Sequence, residues 1–235
     1  MRMLLLIGWL LVPVVVGAYH YGPGQDQLVL DDAAQVLAEA DRAAAAEQWQ
    51  AASDGYEKAL ALLPPGRTAE TRRVRLERAK ARMYLRQLPE ASAELKGLVE
   101  EIQAEKGADP ALLEEARGAL AGAEYYMTWL MRLEGLGREE WEPEIEGARQ
   151  TYRLLAEQAE RKGDARAADR WRQDLEGAIR LARMEPGELQ ARAIPKQCQG
   201  CKSGQCKKPG RSNAKGDKKD ARGASSGPPP DDSGS

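Results

Sequence analysis

The residues with the most distinctive chemistry in this 235-residue chain are three cysteines near its C-terminus. Cys198, Cys201 and Cys206 have the spacing C-x2-C-x4-C. Thiolates with C-x2-C spacing are typical zinc ligands, but zinc takes four ligands and this segment supplies only three cysteines and no histidine. In an oxidising compartment, one pair would form a disulfide and the third cysteine could link two chains. We therefore expect a disulfide or an intermolecular bridge first, a zinc site second and thiol redox catalysis last.

The other residue types exclude several classes of enzyme. The only histidine is His20, beside an apolar N-terminal run, so a folded interior offers neither a Ser-His-Asp nor a Cys-His arrangement. The chain has no phosphate-binding loop of the GxxxxGK[ST] type. We therefore expect a protein that is not an enzyme and needs no cofactor, with zinc at the cysteines as the one exception.

The N-terminal segment is an apolar run that either anchors the chain or exports it. Residues 3–18, MLLLIGWLLVPVVVGA, carry no charge, and sixteen helical residues span about 24 Å. Residues 1–21 are then a signal anchor, which we favour, or a signal peptide cleaved near Ala18. In both cases Arg2 keeps the N-terminus in the cytoplasm, because the next basic residue is Arg42. We expect a single-pass membrane protein with the bulk of the chain in the periplasm or outside the cell, and secretion as the alternative.

A linker at residues 22–30 leads to a helical region at residues 31–184. This region is rich in Ala, Leu, Glu, Arg and Gln, which favour helices, and poor in β-branched residues. Proline, glycine and capping residues divide it into about seven helices, with clear breaks at Pro64-Pro65-Gly66, Asp109-Pro110 and Gly163-Asp164. It holds 24 basic and 30 acidic residues, a net charge of −6.

Three of the predicted helices share one pattern of apolar spacing and residue size. In each, small and bulky residues recur three and four positions apart, which predicts close helix contacts at matching positions. These repeat-packing residues are Trp49, Ala52, Tyr56 and Ala59, then Ala91, Leu95 and Leu98, then Ala148 and Tyr152.

Residues 48–64, QWQAASDGYEKALALLP, resemble the second helix of a tetratricopeptide repeat (TPR). An aromatic residue begins the helix, a small residue, a second aromatic and an alanine follow at the expected spacing, and a proline closes it. The resemblance is close for this repeat, partial for residues 73–105 and faint beyond. The spacings of 39 and 57 residues between corresponding positions differ from the 34 of the family.

The resemblance implies antiparallel helix pairs stacked as a short, irregular TPR-like solenoid. Such arrays bind a peptide or protein in a concave groove, so it also implies a non-catalytic interaction scaffold. An irregular antiparallel helical bundle is the alternative fold.

Four arginines form the predicted partner-binding stripe. Arg75, Arg78, Arg82 and Arg86 are spaced 3, 4 and 4 residues apart, so one helix would carry them on one face. Such a stripe could bind the carboxylates of an acidic peptide or phosphate. A second interpretation is open, in which the arginines pair with acidic residues of a neighbouring helix.

From residue 185 to 235 the sequence loses helical periodicity, which predicts a disordered basic tail. Residues 192–222 hold 10 basic and 2 acidic residues, a net charge of +8. This charge could bind anionic polymers or lipid headgroups, whereas an exported tail is not expected to meet nucleic acid. The alternative function is a metal-binding or thiol/disulfide protein that acts through the tail cysteines.

Overall fold

The computed structural model describes residues 9, 12, 13 and 23–204. Within that part the chain forms eight α-helices and one short 3-10 helix, with no β-strand, so the all-α prediction is confirmed. The helices are α1 (Pro23–Ala45), α2 (Trp49–Leu62), α3 (Thr68–Arg82), α4 (Leu88–Ala104), α5 (Pro110–Leu133), α6 (Arg138–Arg161), α7 (Ala165–Arg183) and α8 (Pro186–Ala191), followed by the 3-10 helix Lys196–Cys198.

Local capping chemistry explains the helix starts that the sequence indicates most clearly. The Asp109 carboxylate accepts a hydrogen bond from the Ala111 amide at 2.9 Å, and Pro110 occupies the first helical position. Asp164 caps α7 in the same way through the Ala167 amide at 2.9 Å. The first helix begins earlier than predicted, at Pro23 rather than after the expected linker.

The chain divides into two units, residues 1–74 and 75–235, with the boundary inside α3. In the first unit, α1 and α2 pack closely because small residues meet. A Cβ atom on Gly55 would lie 2.8 Å from the Cβ of Ala40, so only glycine permits this approach. The Tyr56 hydroxyl donates a hydrogen bond to Asp41 at 2.9 Å, and Ala52 and Ala59 are buried.

In the second unit, each long helix packs on the next one along the chain, α4 on α5, α5 on α6 and α6 on α7. The connections of three to five residues reverse the chain, which makes these pairs αα-hairpins. The predicted repeat-packing residues of this unit are fully buried in its core, namely Ala91, Leu95, Leu98, Ala148 and Tyr152.

The beginning of the predicted disordered tail is ordered, which corrects that prediction for residues 185–204. Both α8 and the 3-10 helix pack on α5. The Cys198 thiol donates to the Tyr126 carbonyl at 3.5 Å, and the Ser203 amide donates to Glu134 at 2.9 Å. These contacts join residues about 70 positions apart, so the local sequence could not predict them. Residues 205–235 lie outside the described residues.

No helix in the part of the chain that the structure describes is both long and apolar enough to span a bilayer. The predicted anchor or signal peptide, residues 1–21, lies outside the described residues except for Trp9, Val12 and Pro13. Its role stays a prediction.

Candidate binding cleft

Three arginines of the predicted stripe form ion pairs with α4. Arg78 and Arg82 bind opposite oxygens of the Glu94 carboxylate, at 2.6 and 3.1 Å. Arg75 binds Glu101 at 2.6 Å, and the Glu94 side chain is only 12% exposed. These three side chains therefore follow the second interpretation, pairing with a neighbouring helix.

The fourth arginine of the stripe is not on the same helix. The helix α3 ends at Arg82, four residues before Arg86, which adopts a positive φ of 63° in the following turn. The Arg86 side chain lies against Gly200, where a Cβ atom would be 2.7 Å from the arginine Nε. The prediction of one continuous four-arginine stripe is therefore wrong, because the helix stops before its last member.

The predicted cysteine site contains two free thiols. Cys198 and Cys201 flank a β-turn in which the Cys201 amide donates to the Cys198 carbonyl at 3.3 Å, and Gly200 supplies the required positive φ of 69°. Burial raises the pKa of both thiols, although backbone hydrogen bonds with Leu88 and Lys202 act in the opposite direction on the pKa of Cys201. They form no disulfide, and the described residues include no metal-ligating group of three or more such side chains. Cys206 lies outside the described residues.

A surface cleft of about 340 Å³ opens between α3, α5 and α7 in the second unit. Its volume is within the range of roughly 300–1,000 Å³ that is typical of ligand-binding pockets. It is lined by Lys80, Ala111, Glu114, Glu115, Gly118, Ala119, Arg170 and Trp171. A smaller cleft of about 150 Å³ between α6 and α7 falls below that range.

The larger cleft owes its shape to a glycine on α5. A Cβ atom on Gly118 would lie 2.6 Å from Cη2 of Trp171, so the absence of a side chain lets the indole ring lie directly on α5. Tyr152 also packs on this ring, in a stacked arrangement with 6.1 Å between the ring centroids. Trp171 is 6% exposed, so only a small part of the ring reaches the cleft.

Charged side chains line the cleft around Trp171, and most of them form ion pairs within the protein. Lys80 binds Glu77 at 2.9 Å and Glu115 at 2.5 Å. Glu114 binds a lysine outside the cleft, Lys162. Arg170 instead lies over the Trp171 ring, with its guanidinium carbon 4.9 Å from the ring centroid. The cleft thus combines apolar side chains with charges of both signs, an arrangement suited to holding an amphipathic segment of another molecule.

None of the cleft residues is among the site residues predicted from the sequence, because they converge from three separate helices. Two signals were available: a glycine inside a long helix, at Gly118, and a tryptophan on the small-residue face of a later helix, at Trp171. Only contact between α5 and α7 relates these two signals to each other.

Comparisons of this chain with protein-family models, with curated proteins and with solved structures found no match.

Proposed function

We propose that this protein is a non-catalytic scaffold that binds a peptide or protein partner through its stacked helices. The observation that carries the proposal is the cleft beside Trp171, because it brings a packed tryptophan, the arginine over its ring and further charged side chains together on an open face of the second unit. Aromatic residues and arginine are enriched at the energetic centres of protein interfaces.

The pairing of the cleft charges supports binding rather than catalysis. Lys80, Glu114 and Glu115 are each engaged in ion pairs within the protein. A catalytic acid or base must reach its substrate to exchange a proton, whereas these side chains are held by partners within the protein. A volume of about 340 Å³ also suits one or two side chains of a partner segment rather than a whole folded domain.

The proposal includes tethering to a membrane by residues 1–21, with the helical units exported. It is supported by the sixteen uncharged residues at positions 3–18 and by the position of Arg2 before them. The partner would then belong to an assembly at or beyond the membrane surface.

Site-specific photo-cross-linking in cells that produce the full-length chain tests this function. A photoreactive residue at Ala111, which is exposed and lines the cleft, is expected to capture a discrete partner from the membrane fraction. The same residue at Gln150, exposed on α6, serves as the matched control.

Blocking the cleft tests the same site independently. Ala111→Trp should reduce partner recovery at least tenfold, while Gln150→Trp should leave it unchanged, since only the first fills the cleft. Identical cross-linking patterns at the two positions, or full recovery by Ala111→Trp, would contradict the proposed function. A soluble chain that lacks the first eighteen residues would favour secretion over tethering.

A further inference from the structure

Arg170 differs from the other charged side chains of the cleft because it has no ion pair among the described residues. Lys80 and Glu115 bind each other, and Glu114 binds Lys162. The Arg170 guanidinium instead lies over the Trp171 ring, with its carbon atom 4.9 Å from the ring centroid. Among the charged side chains that line the cleft, the Arg170 guanidinium is therefore the group whose N–H donors are free of a carboxylate partner in the part of the chain that the structure describes.

The ring beneath Arg170 is buried and packed against α5 and Tyr152, so it offers the guanidinium a defined position at the cleft. Gly118 lets Trp171 lie against α5, and Tyr152 stacks on the same indole. A cation–π contact with a fixed ring restricts the arginine without using its N–H donors. Five such donors remain in a planar arrangement that matches the two oxygens of a carboxylate.

We propose that Arg170 recognises a carboxylate of the partner, and that the partner segment carries an acidic group beside an apolar side chain. The acidic group binds the guanidinium, and the apolar side chain lies in the cleft beside the exposed Ala111. This inference rests on the proposed function, since it names the chemistry of the segment that the same cleft binds. The carboxylate belongs either to an Asp or Glu side chain or to a free C-terminus, which present the same two oxygens.

Peptide selection on the full-length chain tests this recognition. A library of random 12-residue synthetic peptides with free C-termini is passed over the immobilised chain, and bound peptides are sequenced. We expect enrichment of Asp and Glu, or of particular C-terminal residues, relative to the input library. A selected peptide is then made in three further forms: with its acidic side chains replaced by their amides, with an amidated C-terminus, and with both changes.

The peptide form that loses affinity shows whether the carboxylate is a side chain or the C-terminus. Variants of Arg170 then test whether this arginine binds it. Removing the relevant carboxylate should weaken binding by about tenfold or more, as expected for a charge-assisted pair. Arg170→Gln should cause a similar loss, and should make the acidic and amide peptides bind equally. Arg170→Lys should restore only part of the difference, because lysine lacks the planar donors. Arg153→Gln, which removes an exposed arginine from α6, is the matched control and should change nothing.

The outcomes separate this inference from the function on which it rests. Peptides that lose affinity for Ala111→Trp but bind Arg170→Gln as tightly as the unmodified chain would overturn the role of Arg170 and leave the cleft as a binding site. Failure to enrich any peptide over the Ala111→Trp variant would overturn both. Enrichment of basic or purely apolar peptides would also overturn carboxylate recognition.

Discussion

At the scale of single residues, Glu124 shows how packing changes the chemistry of a common helical side chain. Its carboxyl group lies against Gly147 of α6, where a Cβ atom would be 3.0 Å from both carboxyl oxygens. One of these oxygens, Oε2, is buried without a hydrogen-bond partner among the described residues. Burial and then the charge of Glu144 raise the pKa of Glu124 to about 8, while Lys96 lowers it slightly. The sequence contains many glutamates and does not distinguish this one.

This carboxyl group should make stability fall as pH rises. Between pH 4.5 and 8 the folded state keeps the proton on Glu124 and the unfolded state has lost it, so unfolding releases a proton. We expect the free energy of unfolding to fall across this window by an amount of the order of 2 kcal/mol, less than full burial would give because water reaches part of the side chain. Denaturant titrations at pH 5 and pH 8 measure the change.

Substitution of Glu124 tests how much its carboxyl group contributes to the pH dependence of the free energy of unfolding. Glu124→Gln should reduce the pH dependence, whereas Glu157→Gln, at an exposed position on α6, should leave it unchanged. An equal pH dependence in the unmodified chain and in Glu124→Gln would contradict the assignment.

At the scale of helices, small residues determine how closely neighbouring elements approach. The TPR-like pattern predicted the small position Ala52 and the aromatic position Tyr56, both of which are buried. It did not predict that Gly55 would meet Ala40, or that Gly118 would meet Trp171. Periodicity shows which face of a helix is buried, but the partner of each position depends on the arrangement of helices far apart in sequence.

Two glycine-to-alanine substitutions distinguish the effect of close packing on the free energy of unfolding from the effect of helix propensity. Gly118→Ala should lower the free energy of unfolding by about 2 kcal/mol, because its Cβ would overlap the rigid Trp171 ring. Gly97→Ala should instead raise it by about 0.5–1 kcal/mol, since nothing lies within 4 Å of the added carbon and alanine favours the helix. Chemical denaturation of the two variants measures both changes. Equal effects in the same direction would show that α5 and α7 are not in close contact.

At the scale of the whole chain, residues 185–204 show that a segment predicted to be disordered can be held in place by distant parts of the chain. Their glycine and proline residues and their lack of helical periodicity predict disorder, yet Leu189 and Cys198 are completely buried. Glu134, at the end of α5, binds both the amide and the hydroxyl of Ser203. Residues 185–204 lack helical periodicity, and their ordered structure depends on contacts with α5 and the residue that follows it.

Thiol labelling tests whether this segment is held in place. Native Cys198 should react with iodoacetamide at least tenfold more slowly than in the unfolded chain, because the thiol is buried and burial raises its pKa. Glu134→Ala should accelerate labelling of Cys201, since it releases the Ser203 contacts. Peptide mass spectrometry of the full-length chain measures each site. Labelling of Cys198 at the unfolded rate would support the disorder predicted from composition.

The sequence by itself determined the all-helical class, the number of long helices and most of their ends. These depend on helix propensity, Asp caps and Pro or Gly breaks, which act over a few residues. Only the tertiary structure decided that Arg78 and Arg82 share Glu94, and that Arg170 rests on Trp171 without an ion pair among the described residues. The physical reason is that charge pairing and cleft formation depend on which helix faces meet, and these faces belong to residues distant in sequence.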